Sequence, residues 1–507
     1  MMTMKRIYFV IMAVVAVMAT GCKDNKFLDL KDPDSFDDSK FYRDSADMEG
    51  LLSSAYQAMR PAYDKLFFLT EMKSDNTTTT DMGTSGGLYY TFVSHNVTSS
   101  NTIVAEIYNS FYFCIHRCNV LLEHIDDVPM GDADKARIKG EAMFLRALSH
   151  FYLVRLWGPV TIMRHTVSGT EETKKLKRNS VEEVYDFIIE DLQTIADGSM
   201  LPANCTGARF GHASRTAACA LLGKVYLQQA ATQGMSSRYN NAITYLEKAL
   251  TVSGYTGFGK AYNKLFTLEG QTDEEIIFPI MYMANADEGS NFAQYFQPSG
   301  ATGLTSALPG RGFNAGQENL FNEFEDTKNG FPVMDRARLS WAIRPYNSTY
   351  YTKKYIDTNP SGYGGNIWFE LRFGDVYLML AEAYERVEGN ASANAIMYLD
   401  KVRTTRPSST LKDYATSMAN ATYAAAYPTL RAAIFHERRT EMCFENQRWF
   451  DLMRLYPNAN DFVTYMRSVN EPNVGAKYTA FQAYEILLPI PYDEVFINPD
   501  LGQNEGY

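Results

Sequence analysis

A mainly α-helical fold, with paired helices supporting an irregular lobe of a few short strands, is predicted by three observations on this sequence. The pattern Leu-small-x-x-Tyr occurs four times, at Leu52, Ser53 and Tyr56, at Leu148, Ser149 and Tyr152, at Leu222, Gly223 and Tyr226, and at Leu380, Ala381 and Tyr384. Composition alone supplies about one such match, and each of the four sits in an amphipathic run. Between these centres lie a Thr/Gly-rich stretch with adjacent aromatics, 73–101, and a stretch rich in Gly, Asn, Pro and Tyr, 254–370. The second sustains no helical period, and short β-prone pieces within it supply the strands.

From the N-terminus, Lys5 and Arg6 precede an apolar run, 7–19, that ends in Ala19-Thr20-Gly21-Cys22. A positive head and an apolar stretch of this length suit export, and the run is too short to span a bilayer. The segment resembles a bacterial lipoprotein signal, cut before Cys22, with Ala19 where leucine is usual. Several acyl chains on such a cysteine hold a protein on a membrane durably. Residues 1–21 therefore read as a signal peptide and 22–507 as a single domain.

The repeated pattern is the centre of the first helix of a tetratricopeptide unit. Its small residue lets that helix approach a partner closely, while Leu and Tyr fill the groove between the two. Partner helices follow with Ala242 and Leu246 after the third pattern and Ala395 and Leu399 after the fourth; 183–187 is a looser match, and 103–125 would serve the first. Helices are thus expected over about 45–63, 103–157, 180–252 and 371–455. Their uneven spacing excludes a regular array and puts the two inserts where function sits. In the second insert 275–281, 338–343 and 350–356 read as strands, with Trp341 buried in the middle one.

A net charge of −11 leaves no basic patch to release counterions, so nucleic acid is not an expected partner. Beyond Cys22 the cysteines are Cys114, Cys118, Cys205, Cys219 and Cys443, an odd number without Cys-x-x-Cys spacing. They suggest small buried residues, with Cys205 and Cys219 the one pair able to bridge in an oxidising compartment. The seven histidines are scattered, no metal set emerges, and no cofactor motif is present. In the run from His436 to Glu441, Thr440 occupies the place where a metalloprotease helix needs its second histidine. Glu437, Glu441 and Glu445 share one helix face, and with Arg438, Arg448 and Arg454 nearby they read as an ion-pair network at a helix junction. No nucleophile elbow and no marked carboxylate pair is found, so no enzyme activity is expected.

Specific stretches resemble the SusD/RagB family of Bacteroidetes outer-membrane nutrient-binding lipoproteins. They include Phe27-Leu28-Asp29, Gly140-Glu141-Ala142 with Phe144-Leu145-Arg146-Ala147, Trp157-Gly158-Pro159-Val160, and Leu371-Arg372-Phe373-Gly374-Asp375 running on to Ala383. Glu437-Arg438-Arg439-Thr440-Glu441, then Phe444-Glu445-Asn446-Gln447-Arg448-Trp449-Phe450-Asp451-Leu452, are the most specific, and Leu488-Pro489-Ile490-Pro491 begins a matching tail. Lys23-Asp24 after the cysteine resembles the surface-export tag of that group. The resemblance implies a SusD-like α-α superhelix, a lipid anchor on the outer membrane facing the cell exterior, and a SusC-like TonB-dependent transporter as partner. It implies capture of oligo- or polysaccharide, or of peptide in the RagB branch. A scaffold that binds only proteins through its helices, and a surface glycoside hydrolase, are the alternatives from other classes.

A sugar site needs a flat aromatic for the apolar face of a pyranose, with amide, carboxylate or guanidinium groups for the hydroxyls. The first insert offers Asp75, Asn76, Tyr89, Tyr90 and Phe92; the second offers Asn291, Tyr295, Phe296, Arg311 and Phe313. Phe92 reads as core. Tyr89 and Tyr90, if extended, point oppositely, so one of them packs. Tyr295, flanked by Gln294 and Gln297, is the leading stacking residue.

Overall fold

Eight long helices form the frame, and local chemistry starts most of them. The first, α1 (Ser45–Lys65), begins where the Asp44 carboxylate accepts from the Ala46 and Asp47 amides. In the same way Asn101 caps α2 (Thr102–His124), and a reciprocal Ser180–Glu183 capping box opens α4 (Val181–Asp197). Between these two runs α3 (Asp132–Trp157). Ser214 caps α5 (Arg215–Thr232), left-handed Gly254 ends α6 (Arg238–Ser253), and α7 (Phe373–Glu388) and α8 (Ala393–Arg403) complete the frame. Each helix packs on the next in chain order through α8. The computed structural model describes residues 42–80, 87–167, 169–324, 335–406, 412–469 and 478–507. The signal segment, Cys22, Lys23-Asp24 and Phe27-Leu28-Asp29 lie outside the described residues.

All four Leu-small-x-x-Tyr patterns lie on helices, on α1, α3, α5 and α7. The small residue matters most at Gly223, where a Cβ would come within 2.5 Å of Leu246 Cγ on α6. Three of the four tyrosines end on a carboxylate of another element. Tyr56 donates to Glu141 on α3 at 2.7 Å, Tyr152 to Glu370 at 2.6 Å, and Tyr384 to Glu247 on α6 at 2.6 Å. Tyr226 stacks on Tyr245 of α6 instead.

Against the frame lie two small sheets. Strands β1 (Thr77–Thr78), β3 (Ala315–Gly316), β5 (Thr349–Tyr351) and β4 (Arg344–Tyr346) form one in that spatial order, antiparallel throughout, with Thr77 opposite Gly316 and Gly316 opposite Tyr350. Strands β2 (Ile276–Ile280) and β6 (Trp368–Arg372) form the other. The 350–356 stretch is therefore a strand only as far as Tyr351. The 338–343 stretch is not a strand at all: Arg336–Ala342 is helical, with Trp341 half-buried. The cause is charge, since Asp335 and Arg338 pair one turn apart and draw the guanidinium inward to Glu437. Cys205 and Cys219 are free thiols, both pushed up to about 11 by burial.

At the centre, α9 (Leu430–Met442) is buried along most of its length despite its charge. Arg372 reaches Glu275, Glu441 and, through Nε and Nη2, both oxygens of Glu445 at 2.7–2.9 Å. Arg338 and Arg403 hold Glu437, Arg406 pairs with Glu275, and Lys354 pairs with Glu445. Burial alone would raise Glu441; Arg372, Arg406 and Arg338 outweigh it and hold the carboxyl at about 2. The network forms around these glutamates, but only Glu437 and Glu441 lie on α9, Glu445 standing in the turn beyond Met442, and the cations come from elsewhere in the chain. Arg438 instead serves Asp375 and Asp451, Arg454 serves Glu382, and Arg448 serves Asp75.

Candidate ligand-binding surface

The same junction secures the first insert. Arg439 donates to the Asp75 carbonyl and to Asn76 Oδ1, Arg448 grips the Asp75 carboxylate through both oxygens at 2.7 and 2.8 Å, and the Tyr465 hydroxyl donates to it at 2.6 Å. Burial opposes ionisation of Asp75, yet Arg439 and Arg448 hold it well below the usual carboxylate range. Asp75 and Asn76 are thus buried and spent on structure, which corrects their reading as ligand contacts. Phe296 is corrected likewise: it is buried edge-on against Phe67.

The two inserts are stitched to each other. Beyond the β1–β3 pairing, the Gln317 amide donates to the Asn76 carbonyl at 2.9 Å and the Thr80 amide to the Gly312 carbonyl at 2.9 Å. Gly312 has φ +62°, and a Cβ there would sit 2.1 Å from Thr80 Oγ1, so only glycine permits this approach. The Phe313 amide in turn donates to the Tyr295 carbonyl at 2.9 Å. Gln297 organises the rest of the loop: its Oε1 accepts from the amides of Leu304, Thr305 and Ser306, and its Nε2 donates to the Ala301 and Leu308 carbonyls. It is buried, so the glutamine pair around Tyr295 does not mark open surface on both sides.

This stitching brings Tyr89 and Tyr295, one from each insert, to the same ring. Tyr89 lies 4.3 Å from Phe313 and stacks on Phe68 at 5.1 Å; Tyr295 lies 5.2 Å from Phe313 and 6.1 Å from Phe67. Tyr89, Tyr90 and Tyr295 are half-buried, each keeping part of its surface open, whereas Phe92 is core. Tyr89 and Tyr90 stand at the start of the one-turn helix Tyr90–Val93 and do not alternate as in a strand. Arg311 is exposed, and its charge acts on the Tyr295 phenol. Asn291 lies alongside with both its amides on the Asp64 carboxylate, at 2.9 and 2.8 Å. Burial, then the charge of Asp64 and the neighbouring Tyr89, push the Tyr295 phenol well up, so it stays a neutral donor. Glu106 on α2 also acts on that phenol and pairs with Lys65 of α1.

Sequence reasoning did not identify Phe67, Phe68, Asp64, Lys65 or Glu106 as part of this surface. The Phe67-Phe68 pair at the end of a helix was its only local signal. The assembled surface presents aromatic faces beside a guanidinium and an amide, which suits a ligand with both apolar faces and hydroxyls. Among the described residues no group of three or more His, Cys, Asp or Glu side chains is placed to hold a metal ion.

Residues 228–507 match the model described as the SusD family, and residues 26–227 match one described as starch-binding associating with outer membrane. SusD-like protein P2 of Formosa agariphila is 24% identical over 538 aligned positions, covering 99% of each chain. Among solved structures, a laminarin binding SusD-like protein superposes with a TM-score of 0.71 at 24% identity, covering 92% of this chain and 100% of that one. Surface glycan-binding protein A from Bacteroides thetaiotaomicron, in complex with laminarihexaose, superposes with a TM-score of 0.71 at 17% identity, covering 90% and 98%. These last two likenesses establish the fold.

Proposed function

Since this chain belongs to the SusD family, we propose that it is a non-catalytic surface receptor that captures oligo- or polysaccharide and passes it to a SusC-like TonB-dependent transporter. The observation that carries this reading is the convergence of Tyr89 and Tyr295 on Phe313, with Arg311 and Asn291 at the rim. A pyranose lays its C–H face on a ring and turns its hydroxyls to the rim, so binding combines apolar contact with a few directed hydrogen bonds. Tyr90, part-exposed beside Tyr89, extends the same surface.

Capture without hydrolysis is supported by what the nearby carboxylates do. Asp64 is buried and accepts both amides of Asn291, and Glu106 pairs with Lys65, so each already holds a structural partner. The test is affinity electrophoresis of the mature chain through gels cast with laminarin or with soluble starch. Retardation in at least one gel, with the polysaccharide recovered at its original length, is expected. Free migration through both would remove the reading for glucans.

The lipobox ending in Cys22 supports an outer-membrane anchor facing the cell exterior. Cells carrying Cys22→Ala should release the protein or stall it in export. Finding that variant membrane-bound and protease-accessible, as the parent is, would remove the anchor.

A further inference from the structure

A hollow of about 580 Å³ opens where α1, α2 and the loop around Asp287 and Glu288 meet, lined by residues that include Gln57, Arg60, Pro61, Phe113 and Arg117. Three of these give the hollow its character. Phe113 is 62% exposed in the middle of a 23-residue helix, beside a guanidinium one turn on. Arg60 is fixed in place, with Nε on the Met281 carbonyl and Nη1 on Glu288, both at 2.9 Å. Pro61 lies inside the 21-residue helix α1, which runs on through it to Lys65. Having no amide, Pro61 withdraws the usual donor from the carbonyl of Gln57 one turn earlier. A proline in a helix interior is costly, and local rules broken in this way collect at functional sites. Here the break removes the helix donor of a backbone carbonyl at Gln57, a residue that lines the hollow together with the exposed Phe113.

The hollow also starts where the tyrosine surface stops. Glu106, Ser110, Phe113 and Arg117 follow at intervals of four, three and four residues and so form one stripe along α2. Glu106 pairs with Lys65, the chain neighbour of Asp64; Asp64 holds Asn291, whose carbonyl accepts from the Tyr295 amide at 2.8 Å, so that end of the stripe borders the aromatic cluster. Seven residues of helix, about 10 Å at 1.5 Å each, carry it from Glu106 to Phe113. On α1, Gln57, Arg60, Pro61 and Asp64 run alongside, and the loop bridges to them at both ends through Glu288 to Arg60 and Asn291 to Asp64.

We infer that this hollow is a second subsite for the same glycan, with Phe113 as its stacking ring and Arg60, Arg117 and the freed Gln57 carbonyl as its hydrogen-bonding rim. This rests on the carbohydrate reading above and deepens it. The preferred ligand is then an oligosaccharide long enough to cover Tyr295 and Phe113 together, and a short one fills the tyrosine surface alone.

Calorimetric titration of the mature chain with laminarihexaose, laminaritriose, maltohexaose and maltotriose tests this. In whichever series the parent binds, Phe113→Ala should weaken the hexaose at least about fivefold and leave the triose unchanged. Tyr295→Ala should weaken both lengths. Pro61→Ala restores a helix amide, so it should raise the melting temperature while weakening the hexaose, a pairing that a purely structural proline would not produce. If Phe113→Ala and Pro61→Ala bind the hexaose as the parent does while Tyr295→Ala does not, the second subsite is gone and the receptor reading stands. Equal weakening of triose and hexaose by Phe113→Ala also removes the subsite. A parent that binds none of the four removes the receptor reading for glucans and this inference with it.

Discussion

The junction around α9 and the Tyr89–Tyr295 surface reverse the ordinary placement of side chains: charged groups are buried in one, and aromatic rings are part-exposed in the other. At the junction every charge has partners, and Arg372 alone satisfies three carboxylates. Such a set is weak evidence for stability, because desolvation offsets much of the attraction, but breaking it is costly. Its evident work here is to place chain segments, since Arg439 and Arg448 fix the first insert at Asp75 and Asn76. At the surface the rings rest on Phe67, Phe68 and Phe313 below and keep a face open above. Buried charge positions the insert, and the insert presents exposed apolar area.

Breaking the junction should have the largest effect. Arg372→Met removes the one cation shared by Glu275, Glu441 and Glu445 and leaves Arg406, Arg338 and Lys354 to hold them, and loss of one partner from a buried set costs about 3–5 kcal/mol. Chemical denaturation should show that loss directly. Acid provides a second route to the same point. The folded Glu441 carboxyl is held at about 2, below its ordinary 4.5. A depressed carboxyl contributes stability above its unfolded value and loses it as pH falls through the folded one, so the parent should weaken between about pH 4.5 and 2. A denaturation midpoint unchanged by Arg372→Met would show that the network contributes nothing to holding the fold.

Removing a ring from the surface should have a smaller effect, and on a different quantity. In the proposed reading Tyr295 is the ring that meets the ligand, and Tyr295→Ala deletes it while Phe68 and Phe296 keep their packing on Phe67. Affinity should fall by about 2 kcal/mol, roughly thirtyfold, with only a modest change in melting temperature. If the melt falls steeply and binding is retained, Tyr295 belongs with the core and the contrast between the two regions fails there.

The helical frame was legible because its signals are local. Leu222, Gly223 and Tyr226 predict a close helix pair through the 3.6-residue period alone, and Gly223 does meet Leu246 of the predicted partner helix. Glu437 and Glu441 of α9 were legible for the same reason, but the cations around them were not. Glu437 and Glu441 share a face that Arg438 leaves by one residue, and Glu445 lies in the turn after the helix; the three pair with Arg338, Arg372 and Arg403, up to 103 positions away. The inserts were harder. Polar Asp75 and Asn76 read as open loop, and only the distant Arg439 and Arg448 show them to be buried. Tyr89 and Tyr295 were found by composition, but their meeting on Phe313 depends on the β1–β3 pairing, which has no local signature.

An arginine in each region sharpens the comparison most finely, because the side chain is the same and only its surroundings differ. Arg372 is buried among carboxylates, whereas Arg311 is exposed beside Tyr295. A solvated guanidinium is screened by water and salt and contributes little to folding, so Arg311→Ala should melt as the parent does. If it reaches a ligand hydroxyl at the rim, losing it should weaken binding roughly three- to fivefold, less than Tyr295→Ala, because water competes for the same contact. For a neutral sugar that loss should persist at high salt, since the contact is a hydrogen bond to an uncharged partner. Titrations of Arg311→Ala at low and high ionic strength check both points. A loss of binding that disappears as salt rises would mean that Arg311 attracts an anionic ligand, and the surface would then select for acidic glycans.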